Sequence, residues 1–109
     1  MKKNDAQMIE VLLVEDCEDL SDIVGEVLSH TGEMTVEKAN NPLEAIEILK
    51  TKNFDLIISD YEMPKMSGIG VLKYVRSDLR NIPFIIFTGR SREDVVIEAI
   101  NNGVTFYLQ

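Results

Sequence analysis

Asp60 closes the apolar run Phe54-Asp55-Leu56-Ile57-Ile58-Ser59-Asp60, and a turn-forming segment, Tyr61-Glu62-Met63-Pro64-Lys65-Met66-Ser67-Gly68, follows it. An acidic pair, Glu15-Asp16, closes a second apolar run, Ile9-Glu10-Val11-Leu12-Leu13-Val14. A third run, Pro83 to Phe87, stops at Thr88-Gly89. Crowded carboxylates repel one another, and burial raises their pKa values unless a cation relieves them. Mg²⁺ is a hard ion that takes oxygen ligands and is commonly held by one or two carboxylates plus phosphate. A carboxylate can also act as a nucleophile and form an aspartyl-phosphate. Thr88 adds a hydroxyl, and the Gly89 turn adds backbone N–H groups, for a phosphoryl oxygen. One such acid would read as a turn residue or a helix cap. An acidic pair, a further acid and a threonine, all at strand ends, read as a site for a divalent cation and a phosphoryl group.

The elements that must position these residues alternate along the chain. Ile9 to Val14 is almost continuously apolar, as a strand buried on both faces is. Leu20, Ile23, Val24, Val27 and Leu28 recur at the spacing of an amphipathic helix, and Gly32 stands where a left-handed cap would end it. Met34 to Lys38 reads as a short second strand. Asn41-Pro42 reads as an N-cap with proline at the first helical position, opening a helix through Ala45, Ile46 and Leu49. Leu56 to Ser59 is the third strand, and Ile69, Leu72, Val75 and Leu79 line the third helix. Pro83 to Phe87 is the fourth strand. Ser91 and Asp94 have the spacing of a capping box before a helix through Val96, Ala99 and Ile100, which Asn101-Asn102-Gly103 stops. Thr105 to Leu108 begins a fifth strand. Repeated β-α units predict a doubly wound parallel sheet with right-handed crossovers. Strand order 2-1-3-4-5 brings Glu15, Asp16, Asp60 and Thr88 to one crevice at the switch point.

Composition excludes several classes. A chain of 109 residues with 45% hydrophobic content builds one domain around one core. A net charge of −8 argues against direct binding to nucleic acid or to anionic membranes. The sequence contains no signal-peptide pattern and no apolar run of membrane-spanning length. Cys17 is the only cysteine, so no internal disulfide forms, which fits a cytoplasmic location.

The segments Leu12-Leu13-Val14-Glu15-Asp16, Asp60-Tyr61-Glu62-Met63-Pro64-Lys65-Met66-Ser67-Gly68 and Phe87-Thr88-Gly89 resemble the receiver domain of two-component response regulators, of the chemotaxis-regulator kind. The D-x-x-M-P-x-M-x-G string is the specific part, and the resemblance spans nearly the whole chain. It implies a flavodoxin-like five-stranded fold and a phosphoacceptor switch in a phosphorelay rather than a turnover enzyme. By that resemblance Asp60 is the phosphoacceptor and also a ligand of Mg²⁺. Asp16 binds Mg²⁺ directly, Glu15 helps through water, and the Glu62 backbone carbonyl is a further ligand. Thr88 is the switch hydroxyl and Tyr107 the aromatic that moves with it. The implied partners are a sensor histidine kinase and a downstream effector protein or output domain.

The family continues its fifth strand with a lysine and a fifth helix, and this sequence stops at Gln109, before both. Residues 1–109 therefore read as a single receiver domain truncated at its C-terminus. One sheet face is then covered by the first helix alone, and dimerisation is an open expectation. Two alternatives stand beside this reading. The first is a receiver-like interaction module that is never phosphorylated. The second is a Mg²⁺-dependent phosphoryl-transfer enzyme, although an aspartyl phosphatase wants a second Asp two residues after Asp60, where this chain has Glu62. Among lesser features, His30 reads as a helix C-terminal histidine. Met63 and Met66 are expected to pack under the loop after Asp60. Glu62 and Arg90 read as a surface pair at the mouth of the site.

Overall fold

The computed structural model describes residues 8–63, 66–78, 80–89 and 93–108. Nine elements alternate along them: β1 (Ile9–Val14), α1 (Glu18–Ser29), β2 (Met34–Ala39), α2 (Pro42–Thr51), β3 (Leu56–Asp60), α3 (Gly68–Ser77), β4 (Phe84–Phe87), α4 (Glu93–Asn101) and β5 (Phe106–Leu108). The strands form one sheet in the order β2-β1-β3-β4-β5, and every neighbouring pair is parallel. The doubly wound arrangement expected from the β-α alternation is the one observed. Leu79 and Ser91, expected in the third helix and in a capping box, lie outside the described residues.

Local signals act as their chemistry requires. The Asn41 side chain accepts a hydrogen bond from the Glu44 N–H, and Pro42 follows it in the first turn of α2. The Ser67 hydroxyl accepts from the Ile69 N–H and opens α3. Gly32 and Gly103 take left-handed φ values of 77° and 86° past the ends of α1 and α4.

The sheet registers sort every strand residue to a face. Leu12, Val14, Ile57, Phe84, Ile86 and Tyr107 share one face, on which α2, α3 and α4 pack through Ala45, Leu49, Val71, Leu72, Val75 and Ala99. The opposite face presents Val11, Leu13, Leu56, Ile58, Ile85, Phe87, Phe106 and Leu108. There α1 lies over β1 and β2, and Val11 and Leu13 are completely buried. Further along this face Leu56, Ile58, Ile85 and Phe87 are half-buried, and Phe106 and Leu108 are exposed.

The apolar stripe of α1 behaves differently from its sequence expectation. The buried residues of the helix are Ser21 and Gly25, with Val24 and Leu28 half-buried. Leu20, Ile23 and Val27 are exposed. Gly25 lies against Val36 and Lys38 of β2, so the small residues face the sheet and the large ones form one flank. Helical geometry puts that flank on the side away from Asp22, whose carboxylate pairs with Lys38 at 2.7 Å. Leu20, Ile23 and Val27 therefore border the half of the sheet that no helix covers among the described residues.

A candidate phosphoryl and metal site at the switch point

The first acidic residue of the site sits one position past the end of β1. Glu15 is buried, and its N–H donates to the Ala39 carbonyl of β2 at 3.1 Å. Its Oε2 accepts from the Cys17 N–H at 3.0 Å, while Oε1 is buried with no hydrogen-bond partner. Burial raises the Glu15 pKa from 4.5 to about 7, and the nearby charges of Asp60 and Asp16 push the same way against the Cys17 hydrogen bond. Asp16 follows, exposed, before Cys17 opens α1.

Asp60 ends β3 and is half-buried. Its neighbour Tyr61 donates its N–H to the Phe87 carbonyl at 2.9 Å, which ties the strand end to β4. The Gly68 N–H donates to the Tyr61 carbonyl at 2.9 Å and closes the connection to α3. A Cβ at Gly68 would collide with the Asp60 backbone carbonyl and the Ser59 hydroxyl. Only glycine lets the start of α3 approach the strand this closely. Burial raises the Asp60 pKa, as do the charges of Asp16 and Glu62, while N–H groups of Glu62 and Tyr61 oppose the rise. Glu62 is exposed and its N–H lies 3.4 Å from Asp60 Oδ1. Arg90, expected to pair with it, lies outside the described residues.

Glu15, Asp16 and Asp60 each offer a carboxylate oxygen, and the three atoms lie within 4.8 Å of one another. Three acids this close, one with an unpartnered buried oxygen, fit a hard divalent cation: it supplies the missing partner and cancels the repulsion. Thr88 is buried directly after Phe87, which pairs with Asp60 in the sheet. Its N–H donates to the Leu108 carbonyl of β5 at 3.1 Å. Tyr107 sits one residue earlier on β5, half-buried against the core. The residues singled out from the sequence thus occupy adjacent strands: the three carboxylates meet, Thr88 lies on the neighbouring strand end, and Tyr107 one strand further. Met63 packs against the core and Met66 against Gly70, as expected. Sequence reading missed Ser59 and Gly68 as the pair that seats Asp60, and it missed Arg76. The glycine was legible within the motif, but nothing local marked its contact with the strand.

Comparison with known proteins agrees with this arrangement. Residues 11–109 match the model of the response regulator receiver domain. The chemotaxis protein CheY-3 of Vibrio cholerae is 32% identical over 102 residues, covering 92% of this chain and 78% of that protein. The solved structure of CheY4 from Vibrio cholerae superposes with a TM-score of 0.86 at 31% identity, covering 93% of this chain and 85% of the other. That of TrrA from Thermotoga maritima, in complex with Mg²⁺–BeF, superposes with a TM-score of 0.84 at 27% identity, covering 93% and 85%. Together with the parallel sheet and the acidic cluster at its switch point, these similarities show that the chain belongs to the response regulator receiver domain family, the phosphoacceptor domains of two-component signalling.

Proposed function

We propose that Asp60 accepts the phosphoryl group and, together with Asp16, Glu15 and the Glu62 backbone carbonyl, holds the Mg²⁺ ion that serves it. The observation that carries this reading is the meeting of three carboxylates at the ends of β1 and β3, with Glu15 Oε1 buried and unpartnered. The Mg²⁺–BeF complex of the Thermotoga maritima relative supports it by similarity.

The Tyr61 N–H ties the end of β3 to β4, and the Asp60 carboxylate is presented beside Glu15 and Asp16. An Asp60 oxygen attacks phosphorus of a phosphorylated histidine on a partner kinase. The new O–P bond forms as the N–P bond breaks, and the electron pair leaves on the imidazole nitrogen. Mg²⁺ held by the acidic cluster would neutralise charge on the phosphoryl oxygens. Attack by water on phosphorus later breaks the bond to Asp60 and releases inorganic phosphate. The domain thus assists its own phosphorylation and dephosphorylation without turning over a separate substrate. Thr88 donates its hydroxyl to a phosphoryl oxygen, and Tyr107 follows that movement and changes the surface offered to an effector. The acidic chain and the absence of a membrane-crossing helix among the described residues fit a cytoplasmic protein that signals through protein contacts.

Incubation with acetyl phosphate and Mg²⁺, followed by intact-mass measurement, tests the assignment. The parent gains one phosphoryl group and Asp60→Asn gains none. An equal adduct on the variant removes Asp60 from the role, and no adduct on either protein supports an interaction module that is never phosphorylated.

A further inference from the structure

Arg76, in the last turn of α3, spends its guanidinium on backbone carbonyls alone. Nε and Nη2 donate to the Gly103 carbonyl at 3.1 and 2.8 Å. Nη1 donates to the carbonyls of Arg80 and Ile82 at 3.0 and 2.8 Å. No carboxylate pairs with it among the described residues. The side chain is half-buried, and burial pulls its pKa below the ordinary guanidinium value. Removing a cation from water without an anion is costly, so the return on this arrangement is positional. A planar fork with fixed donor directions locks what it binds. Here it locks three segments: the end of α3, the approach to β4, and the turn between α4 and β5.

The turn is built for this contact. Gly103 has φ 86°, and a Cβ there would lie 3.1 Å from Arg76 Nε. Two residues later the Thr105 N–H donates to the Phe84 carbonyl at 2.8 Å, and Thr105 Oγ1 accepts from the Phe84 N–H at 3.0 Å. Among the described residues β5 follows over Phe106–Leu108 at the edge of the sheet. An edge strand has a hydrogen-bonded neighbour on one side only, so fastenings along its length bear on where it sits. The upper end is held by the Thr88 N–H on the Leu108 carbonyl. The lower end is held by Thr105 and, through Gly103, by Arg76.

We propose that Arg76 is a positioning residue for Tyr107: its fork fastens the foot of β5 to α3 and β4, and so governs how readily Tyr107 leaves its seat in the core. The functional weight of this role rests on the reading of Tyr107 as the aromatic that moves with Thr88. The fastening acts from the end of the sheet opposite the carboxylates, so it tunes the movement without touching the metal site.

The test uses the full chain carrying fluorotyrosine at Tyr61, Tyr74 and Tyr107, with Tyr107→Phe to assign the resonance. Amide hydrogen exchange is measured on the same proteins. Arg76→Lys keeps the charge and loses the fork; Gly103→Ala disturbs the acceptor side. Each variant is expected to speed exchange at Thr105, Phe106 and Tyr107 by about tenfold relative to β1 and β3, as a local opening does. Each shifts the Tyr107 resonance toward its solvent-exposed position. Both leave the Mg²⁺ affinity of the parent in place, and the double variant exceeds neither single one, because both break one link. Exchange that rises evenly over all strands shows a role in general stability only and overturns the proposal. So does unchanged exchange at residues 105–107. Addition of Mg²⁺ and beryllofluoride to the parent tests the underlying reading separately: a Tyr107 resonance that ignores them removes the switch role of Tyr107, whereas the fastening is decided by the ligand-free exchange.

Discussion

The Cys17 N–H donates to Glu15 Oε2 at 3.0 Å, and this bond folds the Glu15 side chain back over the end of β1. Its other oxygen is left buried and unpartnered beside Asp16 and Asp60. The bond favours the charged form, but burial outweighs it and holds the Glu15 pKa near 7. The folded protein therefore binds more protons than the unfolded chain between about pH 4.5 and about pH 7. Glu15 contributes stability below that window and loses it as pH rises through the folded pKa. The raised Asp60 pKa acts in the same direction from the more acidic side. Without Mg²⁺, thermal melts should show the parent losing stability relative to Glu15→Gln from weakly acidic to neutral pH. Millimolar Mg²⁺ should remove that difference in slope. A parallel pair of pH profiles would mean that Glu15 titrates as an ordinary exposed acid.

Asp16 is exposed, so its removal disturbs the core little while it withdraws one of the three meeting carboxylates. A ligand that binds only the folded state raises the melting temperature by linkage. Asp16→Ala should fold and should lose most of the Mg²⁺-dependent rise. A full rise in the variant would place the ion elsewhere.

Gly68→Ala should be among the most damaging single-methyl changes in the chain. The added Cβ would meet the Ser59 hydroxyl and the Asp60 carbonyl, and the carbonyl is backbone that cannot swing away. Overpacking of this kind costs about 1–3 kcal/mol. Here it also displaces the strand end that bears Asp60, so phosphorylation by acetyl phosphate should fall more steeply than stability. Urea unfolding and intact-mass kinetics on the same variant separate the two losses.

Among the described residues, the half of the sheet without a covering helix carries Phe106 and Leu108, bordered by Ile23 and Val27 at 61% and 64% exposure. Contiguous apolar surface of a few hundred Å² is about the most that soluble monomers show. The 109-residue chain should therefore self-associate through this face, and Ile23→Lys with Leu108→Lys should return it to the monomer. Sedimentation velocity over a range of concentrations reads the result. A parent that stays monomeric throughout would show that the face tolerates water.

The parallel strands and the acids at their ends were legible because both follow from short-range patterns, whereas the strand order came from the precedent of doubly wound sheets. Near-continuous apolar runs mark parallel strands, and an acid at the end of such a run has one place to go. Asn41-Pro42 was legible for the same reason, since a cap and its partner are three residues apart. The orientation of α1 was not. A periodic apolar stripe normally marks the buried face, but here Ser21 and Gly25 are the buried residues, and Leu20, Ile23 and Val27 are exposed. Arg76 was illegible because its acceptors are main-chain carbonyls, one of them 27 residues away, and carbonyls have no residue type to recognise. Ser59 was hidden likewise: its Oγ donates to the adjacent Asp60 carbonyl at 2.9 Å, a bond any serine can make.

Parallel strands give the sheet two unlike rims. The carboxylates, Thr88 and the Gly68 approach all lie on the rim where strands end. The opposite rim holds the lacing: Asp55 and Glu10 exchange hydrogen bonds of 2.8 and 2.9 Å, Arg80 Nη2 donates to the Leu49 carbonyl at 2.7 Å, and Arg76 grips Gly103. Such a division makes the domain separable for engineering. The connections on the first rim can be exchanged with those of another receiver to retune how long the phosphoryl group survives, while the second rim keeps the strands in register. A chimera cut along this line should inherit its lifetime from one parent and its melting temperature from the other.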